Sequence, residues 1–379
     1  MTYPTGAAHG YLDSASAEPL HPAARETLLA ALDQGYADPV RLHGAGRNAR
    51  LLLDNAREVT ASLLGARPDE VTFTSSATTA VHRGVLGLLQ GRRRASDRLV
   101  HSAVEHSAVF KAAEWWSASG GTSDVVGVDS HGRVLLPEVE AALAQGAGVL
   151  AVQAANGEVG TVQPIAAVAE LAAARDVPLF VDAAASAGRL PLPSGWAAAS
   201  AGAAQWGGPA GVGVLLVRTG TRWRSPFPTD DRIDHRVAGF ENVPGALAAA
   251  AALQAVVAER EETGARQRAL VDRIRGRVAA EVPDVDIVGD PDDRLPHVVT
   301  FSSLYVEGEA LVRELDKHGF AVSSGSACSA STLTPSHVLA AMGALTHGNV
   351  RVSLGRDTTE ADVDAFLDVL PSAVAGLRP

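Results

Sequence analysis

The order of apolar and helical segments constrains this chain most. From about residue 65 to residue 255, short apolar or β-branched runs alternate with alanine-rich stretches of helical composition. Parallel strands need a crossover helix between them, so this alternation predicts an α/β fold with a mostly parallel sheet and helices on both faces. The strands are predicted in the segments EVTFTSS, DRLVHSAV, GVLAVQAA, PLFVDAA and VGVLLVR.

The last third of the chain has a different pattern. Residues 244 to about 280 are rich in Ala, Glu and Arg with an apolar stripe, which predicts a long helix that is broken near Gly264. Strands in HVVTFSS, FAVSSG and NVRVSLG then alternate with helices around ALVRELDKHG and SHVLAAMG and a final helix from Thr359. We therefore predict a large α/β domain over residues 1–250 and a small α+β domain over residues 251–379, with the N-terminal segment packed on the small domain.

Charge and hydropathy exclude several classes of function. The 379 residues carry a net charge of −11, whereas a protein that binds nucleic acid or an anionic membrane needs a basic face. The start MTYPTGAAHGYLDS lacks the basic and apolar regions of a signal peptide, and no apolar run approaches the length of a membrane span. The expected location is the cytoplasm, and the expected partners are proteins or small molecules.

Two residue types are scarce enough to limit the chemistry. Cys328 is the only cysteine, so an intramolecular disulfide is excluded, and a free thiol is either a packed core residue or a reactive centre. Of the 32 basic residues, only Lys111 and Lys317 are lysines. Any mechanism that needs a lysine amine is therefore limited to these two candidates.

A series of motifs extends along nearly the whole chain. In order they are YLDSASAEPLHP, HGAGRNA, FTSSATTA, VEHSAV, ANGEVGTVQPI, VDAAASAG, SSGSACSASTLTPSHVL and VRVSLGRDTTEADVD. They resemble the motifs of the cysteine desulfurases, class V aminotransferases with fold type I of the enzymes that use pyridoxal phosphate (PLP). The resemblance implies a PLP-transferase-like fold and a homodimer whose active-site cleft lies at the subunit interface.

The segment that contains Cys328 is rich in Ser, Gly and Ala. Small polar residues form an exposed loop in which a thiolate can be reached. The resemblance implies that Cys328 carries sulfur as a persulfide, and the length from it to Pro335 is similar to that of relatives with the longer, flexible cysteine loop. We take Cys328 and His106 as the candidate catalytic residues, since His106 matches the histidine that stacks on the cofactor ring.

Three further positions are candidate substrate-binding residues. Arg351 lies between two valines in a predicted strand, where a buried arginine needs an anion. The resemblance implies that Arg351 holds the α-carboxylate of an amino acid, and a structural ion pair is the alternative. Asn156 matches a residue that contacts the cofactor ring. Asp182 matches the aspartate that pairs with the pyridine nitrogen of PLP, and it is either a remnant or has a new partner.

The pattern departs from the family at the lysine that binds PLP. The family's Ser-x-His-Lys-x-x-Gly-Pro pattern aligns with residues 202–209, which places Gln205 at the position of the Schiff-base lysine. An amide is neither nucleophilic nor titratable near neutral pH, so Gln205 cannot replace the amine. Lys111 and Lys317 are poorly placed to substitute for it.

Residues that bind the rest of the cofactor in the family are also replaced. Gly202 and Ala204 replace a serine and a histidine at the phosphate. Phe240 stands where a threonine of the neighbouring subunit would reach the phosphate, and Ala185 replaces a glutamine at the ring hydroxyl. Thr78 remains as a vestigial phosphate ligand. Because each lost charge-assisted hydrogen bond costs roughly 1.5–3 kcal/mol, we expect no bound PLP, no other cofactor and no metal.

Three functions remain open. The leading hypothesis is a cysteine desulfurase homologue that lacks PLP-lysine chemistry and handles sulfur as a persulfide on Cys328, in sulfur transfer or iron-sulfur assembly, with a donor or acceptor protein. The second is a repurposed PLP-independent enzyme that uses the old pocket for a small carboxylate-bearing substrate. The third is a non-catalytic scaffold or partner of an active desulfurase. Whether the chain is an enzyme therefore stays open.

Overall fold

The computed structural model describes residues 10–34, 36–230, 232–324 and 335–378. Within these residues the chain forms a large sheet covered by helices on both faces, followed by a small sheet with helices of its own. This is the α/β architecture that the alternation of segments predicts.

The strands of the large sheet are β1 Val71–Thr74, β2 Arg98–Ser102, β3 Thr122–Val126, β4 Val149–Gln153, β5 Leu179–Asp182, β6 Ala198–Gly202 and β7 Gly213–Val217. In the described part of the chain they lie in the order β1-β7-β6-β5-β4-β2-β3. β7 runs antiparallel to both neighbours, and all other pairs are parallel. Every residue of β4, β5, β6 and β7 is buried, as expected of strands that are covered on both faces.

The helices that precede the small sheet are α1 Pro22–Gln34, α2 Gly44–Leu63, α3 Ala77–Arg92, α4 Ser107–Ala118, α5 Leu136–Ala144, α6 Ile165–Ala173 and α7 Val243–Glu281. Each face of the large sheet packs against an apolar cluster of its own. One cluster joins Leu88 and Trp116 to Phe180, and the other joins Val181 to Leu253. Adjacent residues of β5 therefore point into opposite clusters, as the two-residue period of a strand requires.

The small sheet contains β8 Val285–Val288, β9 Val298–Ser303 and β10 Asn349–Ser353, and its helices are α8 Gly308–Lys317, α9 His337–Met342 and α10 Glu360–Leu377. Its strands are antiparallel in the order β10-β9-β8. α10 begins with a capping box between Thr359 and Asp362. The strand expected in FAVSSG is reduced to single bridges, from Ala321 to Tyr11 and from Ser323 to Arg351.

The helix α7 is continuous, so the predicted break near Gly264 is wrong. A glycine in a helix interior costs about 1 kcal/mol relative to alanine, which buried residues on both sides offset. Leu253 packs in a core cluster of the large sheet, and Ile274 packs in the core of the small sheet. With 39 residues, α7 spans about 58 Å and joins the two sheets.

The N-terminal segment from residue 10 to residue 21 connects several elements. Asp13 forms a bridge with Ser353 of β10, and the backbone N–H of Glu18 donates to the carbonyl of Ala204 at 2.9 Å. The segment thus links the small sheet to the turn after β6. The domain division at residue 250 stays a prediction. Among the helices of the described residues, none is both long and apolar enough to cross a membrane.

Candidate functional site

Four strands of the large sheet end at one edge, and a predicted site residue lies at or just beyond each end. Asp182 is the last residue of β5. His106, Asn156 and Gln205 follow β2, β4 and β6, which are the neighbouring parallel strands. Ligands of open α/β sheets bind outside the carboxyl ends of the strands. The fold therefore brings together the residues that the motifs single out.

Asp182 is 5% exposed and has partners within the protein. Its Oδ1 accepts hydrogen bonds from the hydroxyl of Ser200 at 2.9 Å and from the backbone N–H of Ala184 at 3.0 Å. Within the described residues, Oδ2 makes no hydrogen bond. One carboxylate oxygen is thus fixed by β6 and by the turn that follows β5, and the other can accept from a ligand.

His106 is the N-cap of α4. Its Nδ1 accepts a hydrogen bond from the backbone N–H of Ala108 at 3.1 Å, and the side chain is exposed. Because Nδ1 is an acceptor, the neutral ring carries its proton on Nε2. The cap therefore fixes the ring at the site edge with a donor free for other contacts.

Asn156 is buried, and its amide is used within its own loop. Nδ2 donates to the carbonyl of Val104 at 3.1 Å, while Oδ1 accepts from the backbone N–H groups of Glu158 and Val159 at 2.8 and 2.9 Å. These bonds fix the loop after β4 against the end of β2. The role of Asn156 in substrate binding stays a prediction.

Glu105 is a fully buried carboxyl that the sequence analysis missed. Oε1 accepts from the hydroxyl of Ser102 at 2.5 Å and from the backbone N–H of Gln153 at 2.9 Å, while Oε2 has no partner within the described residues. Burial raises the pKa of Glu105 to about 8, although these hydrogen bonds oppose the shift, and the negative charge of Asp182 adds to it. An acidic residue directly before His106 in the sequence was the signal that could have indicated Glu105 as a site residue.

Glu158 is a second buried acid that was not predicted from the sequence as a site residue. Burial raises its pKa to about 7, against a hydrogen bond from Ser336 and the positive charge of Arg351. Its Oε1 is buried without a partner in the described part of the chain. Both acids therefore change protonation state near neutral pH.

Arg351 of β10 is buried and already paired. Nη2 donates to Oδ1 of Asp13 at 2.8 Å and to Oγ of Ser16 at 2.7 Å, and Nη1 donates to the carbonyl of Gly157 at 3.1 Å. Nε is buried and has no partner among the described residues. The ion pair that the sequence analysis left as an alternative thus exists, and the binding of a ligand carboxylate stays a prediction.

Gln205 lies in a single 3-10 turn, Ala203–Trp206, directly after β6. Its Nε2 donates to the carbonyl of Ser16 at 3.3 Å, so the amide is joined to the residue that also contacts Arg351. Ala204 presents no polar side-chain atom there. At Gly202, an added Cβ would lie 2.8 Å from Cβ of Ala77, which is closer than real Cβ atoms approach.

The N-terminus of α3 lies beside this turn. Ser76 caps the helix by accepting from the backbone N–H of Thr79 at 3.0 Å. Thr78 is exposed in the first turn. The first N–H groups of a helix attract anions, so this end of α3 can hold a phosphate through its backbone. The vestigial role of Thr78 stays a prediction.

The remaining residues named in the sequence analysis either lie away from these contacts or are not among the described residues. Lys111 pairs with Glu114, and Lys317 pairs with Glu314, both on exposed helix faces. Phe240 is 59% exposed. Cys328 lies outside the described residues.

The residues on both sides of the Cys328 segment are described, and they lie at the site. Ser323 exchanges two backbone hydrogen bonds with Arg351, at 3.2 and 2.7 Å. At the other end, Ser336 is hydrogen bonded to Glu158, and Nε2 of His337 lies 2.9 Å from the carbonyl oxygen of Glu105. In the described ranges no group of three or more His, Cys, Asp or Glu residues could hold a metal ion.

Comparison with known proteins identifies the family of this chain. The sequence model of the family described as aminotransferase class-V matches residues 10–366. An IscS-like cysteine desulfurase of Mycobacterium tuberculosis is 39% identical over 381 residues, covering 97% of both proteins. Cysteine desulfurase IscS of Dictyoglomus turgidum is 33% identical and covers 97% of this chain and 95% of its own length. A solved NifS-like protein superposes with a TM-score of 0.90 at 27% identity, covering 97% of this chain and 100% of its own.

The expectation that the chain holds no PLP is contradicted by these matches, because the class-V family binds PLP and the relatives along 97% of the chain are cysteine desulfurases. The site also fits the cofactor ring. Asp182 offers a free oxygen to a pyridine nitrogen, and His106 is exposed at the same edge of the sheet. That expectation considered side-chain donors alone, whereas the backbone N–H groups at the start of α3 can also bind a phosphate. With this fold, this site and these matches, the chain belongs to the aminotransferase class-V family, and its curated relatives are cysteine desulfurases.

Proposed function

We propose that this chain handles sulfur as a persulfide on Cys328, in a cysteine desulfurase site where Gln205 replaces the Schiff-base lysine. The observation that carries the proposal is the position of the two ends of the Cys328 segment. One end pairs with Arg351, and the other contacts Glu158 and the backbone of Glu105. Both ends are thus held at the edge of the sheet where the site residues converge.

Chain length supports this assignment. Cys328 follows Ser324 by four positions in the sequence, and four steps along the chain span at most about 14 Å. Ser323 pairs directly with Arg351. We propose that Cys328 reacts within this distance of the site edge, as a thiolate that accepts sulfur from a donor.

The transfer needs no external oxidant. The Cys328 thiolate attacks the outer sulfur of a donor persulfide, a new bond forms from Sγ to that sulfur, and the sulfur–sulfur bond of the donor breaks. The donor sulfur that is left takes a proton and departs as a thiol. Oxidation states balance, because one persulfide and one thiol give one thiol and one persulfide.

The chemistry at residue 205 differs from a lysine site. When bound, PLP supplies an aldehyde and an electron sink, and Asp182 and His106 are the residues that would hold its ring. Gln205 has no amine for the aldehyde and no proton to exchange near neutral pH. We therefore propose that this protein holds PLP without a Schiff base to the chain and takes its sulfur from a donor protein.

We also propose a homodimer in the cytoplasm. Large apolar side chains on and between α1 and α2 are exposed: Leu29, Leu32, Tyr36, Leu42 and Leu51. Exposed apolar groups of this size indicate a covered surface, and a second copy of the chain fits the family's interface cleft. Sedimentation at twice the 39.0 kDa chain mass is the expected result, and a monomer at micromolar concentration contradicts it.

One observation favours the second hypothesis, a repurposed enzyme that uses the same pocket. Glu105 and Glu158, with pKa values of about 8 and 7, can accept and release protons near neutral pH. The same acids also serve a sulfur-transfer site, because a thiol must lose its proton before it reacts. The two hypotheses therefore differ in whether Cys328 carries sulfur.

A labelling experiment separates the hypotheses. The protein is incubated with ³⁵S-cysteine, with and without a catalytically competent desulfurase, and persulfides are trapped by alkylation. Since Cys328 is the only cysteine, Cys328→Ser leaves no thiol and is the matched control. Label that requires the added desulfurase and disappears in the control supports the proposal. Label from cysteine alone shows that the chain desulfurates without help, and an unlabelled wild type refutes the persulfide.

A further inference from the structure

Arg351 and Asp13 form an ion pair that joins two distant parts of the sequence. Nη2 of Arg351 lies 2.8 Å from Oδ1 of Asp13, and 338 positions separate the two residues. The guanidinium side chain is 9% exposed, whereas the carboxylate is 21% exposed. Ser16 completes the contact, since its Oγ accepts from the same Nη2 at 2.7 Å and donates to Oδ1 of Asp13 at 3.0 Å.

This contact uses the atom that a bidentate ligand needs. A guanidinium has two parallel forks, Nε with Nη2 and Nη1 with Nη2, and both include Nη2. Nη2 carries two hydrogens and already makes two hydrogen bonds, to Asp13 and Ser16. A ligand carboxylate therefore cannot bind Arg351 through a fork unless one of these partners gives way.

If the Asp13 side chain moves away from Arg351, the Asp13 backbone stays in place. Asp13 forms a bridge with Ser353, and the next residue, Ser14, donates its backbone N–H to Ser353 O at 3.2 Å and its hydroxyl to Leu354 O at 2.9 Å. Displacement thus means rotation of the Asp13 side chain alone. Its carboxylate stays within a few ångströms of the ligand that replaces it.

We propose that Asp13 is an internal carboxylate that occupies Arg351 until a ligand displaces it, and that it then selects zwitterionic α-amino acids over simple carboxylates. A plain carboxylate on Arg351 would lie beside the displaced carboxylate, and such like charges repel. An α-ammonium group removes the repulsion, because Asp13 can accept its hydrogen bonds. Oδ2 of Asp13 makes no hydrogen bond within the described residues and is free for this contact. The inference goes beyond the proposed function and rests on the prediction from the sequence that Arg351 holds a ligand carboxylate.

Two isosteric ligands test the selection without forming an imine with PLP. N,N-dimethylglycine and 3-methylbutanoate have the same shape, and only the first carries a positive charge beside the carboxylate. Binding of each is measured by calorimetry with the wild type, Asp13→Asn, Arg351→Gln and Asp33→Asn, an exposed aspartate on α1 that serves as the matched control. Thermal unfolding of each variant checks the fold, and asparagine keeps an oxygen that can accept from Arg351.

The wild type is expected to bind N,N-dimethylglycine about tenfold or more tightly than 3-methylbutanoate. In Asp13→Asn the affinity for 3-methylbutanoate should rise by a similar factor, so that the preference disappears. Equal weakening of both ligands in Asp13→Asn would mean that Asp13 only positions Arg351, and it would overturn the proposal. A wild type without preference, or without binding of either ligand, also overturns it.

Arg351→Gln separates this inference from the proposed function. Loss of both ligands in that variant is expected. Unchanged binding would show that the carboxylate site lies elsewhere, which overturns the inference while leaving the persulfide experiment on Cys328 unaffected. Asp33→Asn should bind both ligands as the wild type does.

Discussion

The two halves of the site edge differ in the side chains that they contain. The half formed by β2, β4 and β5 keeps buried carboxyls with specific hydrogen bonds: Glu105, Glu158 and Asp182. The half after β6 contains Gly202, two alanines, the buried Trp206 and Gln205, whose side chain makes a hydrogen bond of 3.3 Å among the described residues. A buried carboxyl destabilises the fold, whereas alanine and glycine are buried at little cost. We infer that binding maintains the first half and that packing alone shapes the second.

The acids of the first half show how large this cost is. Burial raises the pKa of Glu105 to about 8 and that of Glu158 to about 7. Both have an oxygen without a partner in the described part of the chain. Packing alone would favour an apolar side chain at either position. The comparison therefore predicts a larger response to substitution in the first half.

The largest expected effect is on stability, from Glu105→Gln. The folded state holds the Glu105 proton more tightly than the unfolded chain does, since its pKa is about 8 instead of 4.5. This contribution to stability is complete below pH 4.5 and is lost as pH rises through 8. One pKa unit corresponds to about 1.4 kcal/mol, so the variant should exceed the wild type by roughly 3–5 kcal/mol in unfolding free energy at pH 9, and match it near pH 4.

Urea unfolding at a series of pH values measures this difference. Glu26→Gln changes an exposed glutamate of α1 and should give the same difference from the wild type at every pH. A Glu105→Gln curve parallel to that of the wild type would show that the carboxyl is hydrated in solution. The contrast between the two halves would then lose its energetic basis.

The second prediction concerns PLP affinity. Asp182→Ala removes the free oxygen that would pair with the pyridine nitrogen, a charge-assisted hydrogen bond that is expected to contribute about 1.5–3 kcal/mol. The dissociation constant of PLP, from equilibrium dialysis followed by fluorescence, should rise about 10- to 100-fold. Gln205→Ala is the comparison and should change it less than about threefold. Equal effects of the two substitutions would show that both halves bind the cofactor.

The sequence predicted the elements that have a strong local signal. β1, β2, β4, β5 and β7 contain β-branched or apolar runs, and all of them form. β6, with the sequence AASAG, was not predicted because alanine and glycine have low strand propensity. It is a strand because its neighbours β5 and β7 pair with it on both sides, which is a tertiary effect that no local pattern contains.

The site divides in the same way. The motifs single out His106, Asn156, Asp182 and Gln205, and these residues lie at one edge because they end or follow neighbouring parallel strands. They could not reveal that Arg351 is bonded to Asp13, since the two residues meet only through the pairing of the N-terminal segment with β10. Nor could they reveal the protonation of Glu105, which depends on complete burial.

The smallest expected effect tests whether the packing around Gly202 leaves room for a larger side chain. Gly202→Ser restores a serine at the family's phosphate position, but its Cβ would lie 2.8 Å from Cβ of Ala77 at the start of α3. Both residues are part of packed structure, so the backbone must shift, at a cost of about 1–2 kcal/mol in unfolding free energy. Gly276→Ser is the matched control, because the Cβ there meets no atom within 4 Å and Gly276 is exposed on α7. In that control, serine should stabilise the helix slightly, by about 0.3–0.5 kcal/mol.

If Gly202→Ser were as stable as the wild type and tightened PLP binding, the second half would still have room for the family's phosphate ligands. Its difference from the first half would then lie in side-chain identity alone, and the backbone would not have adapted to their loss.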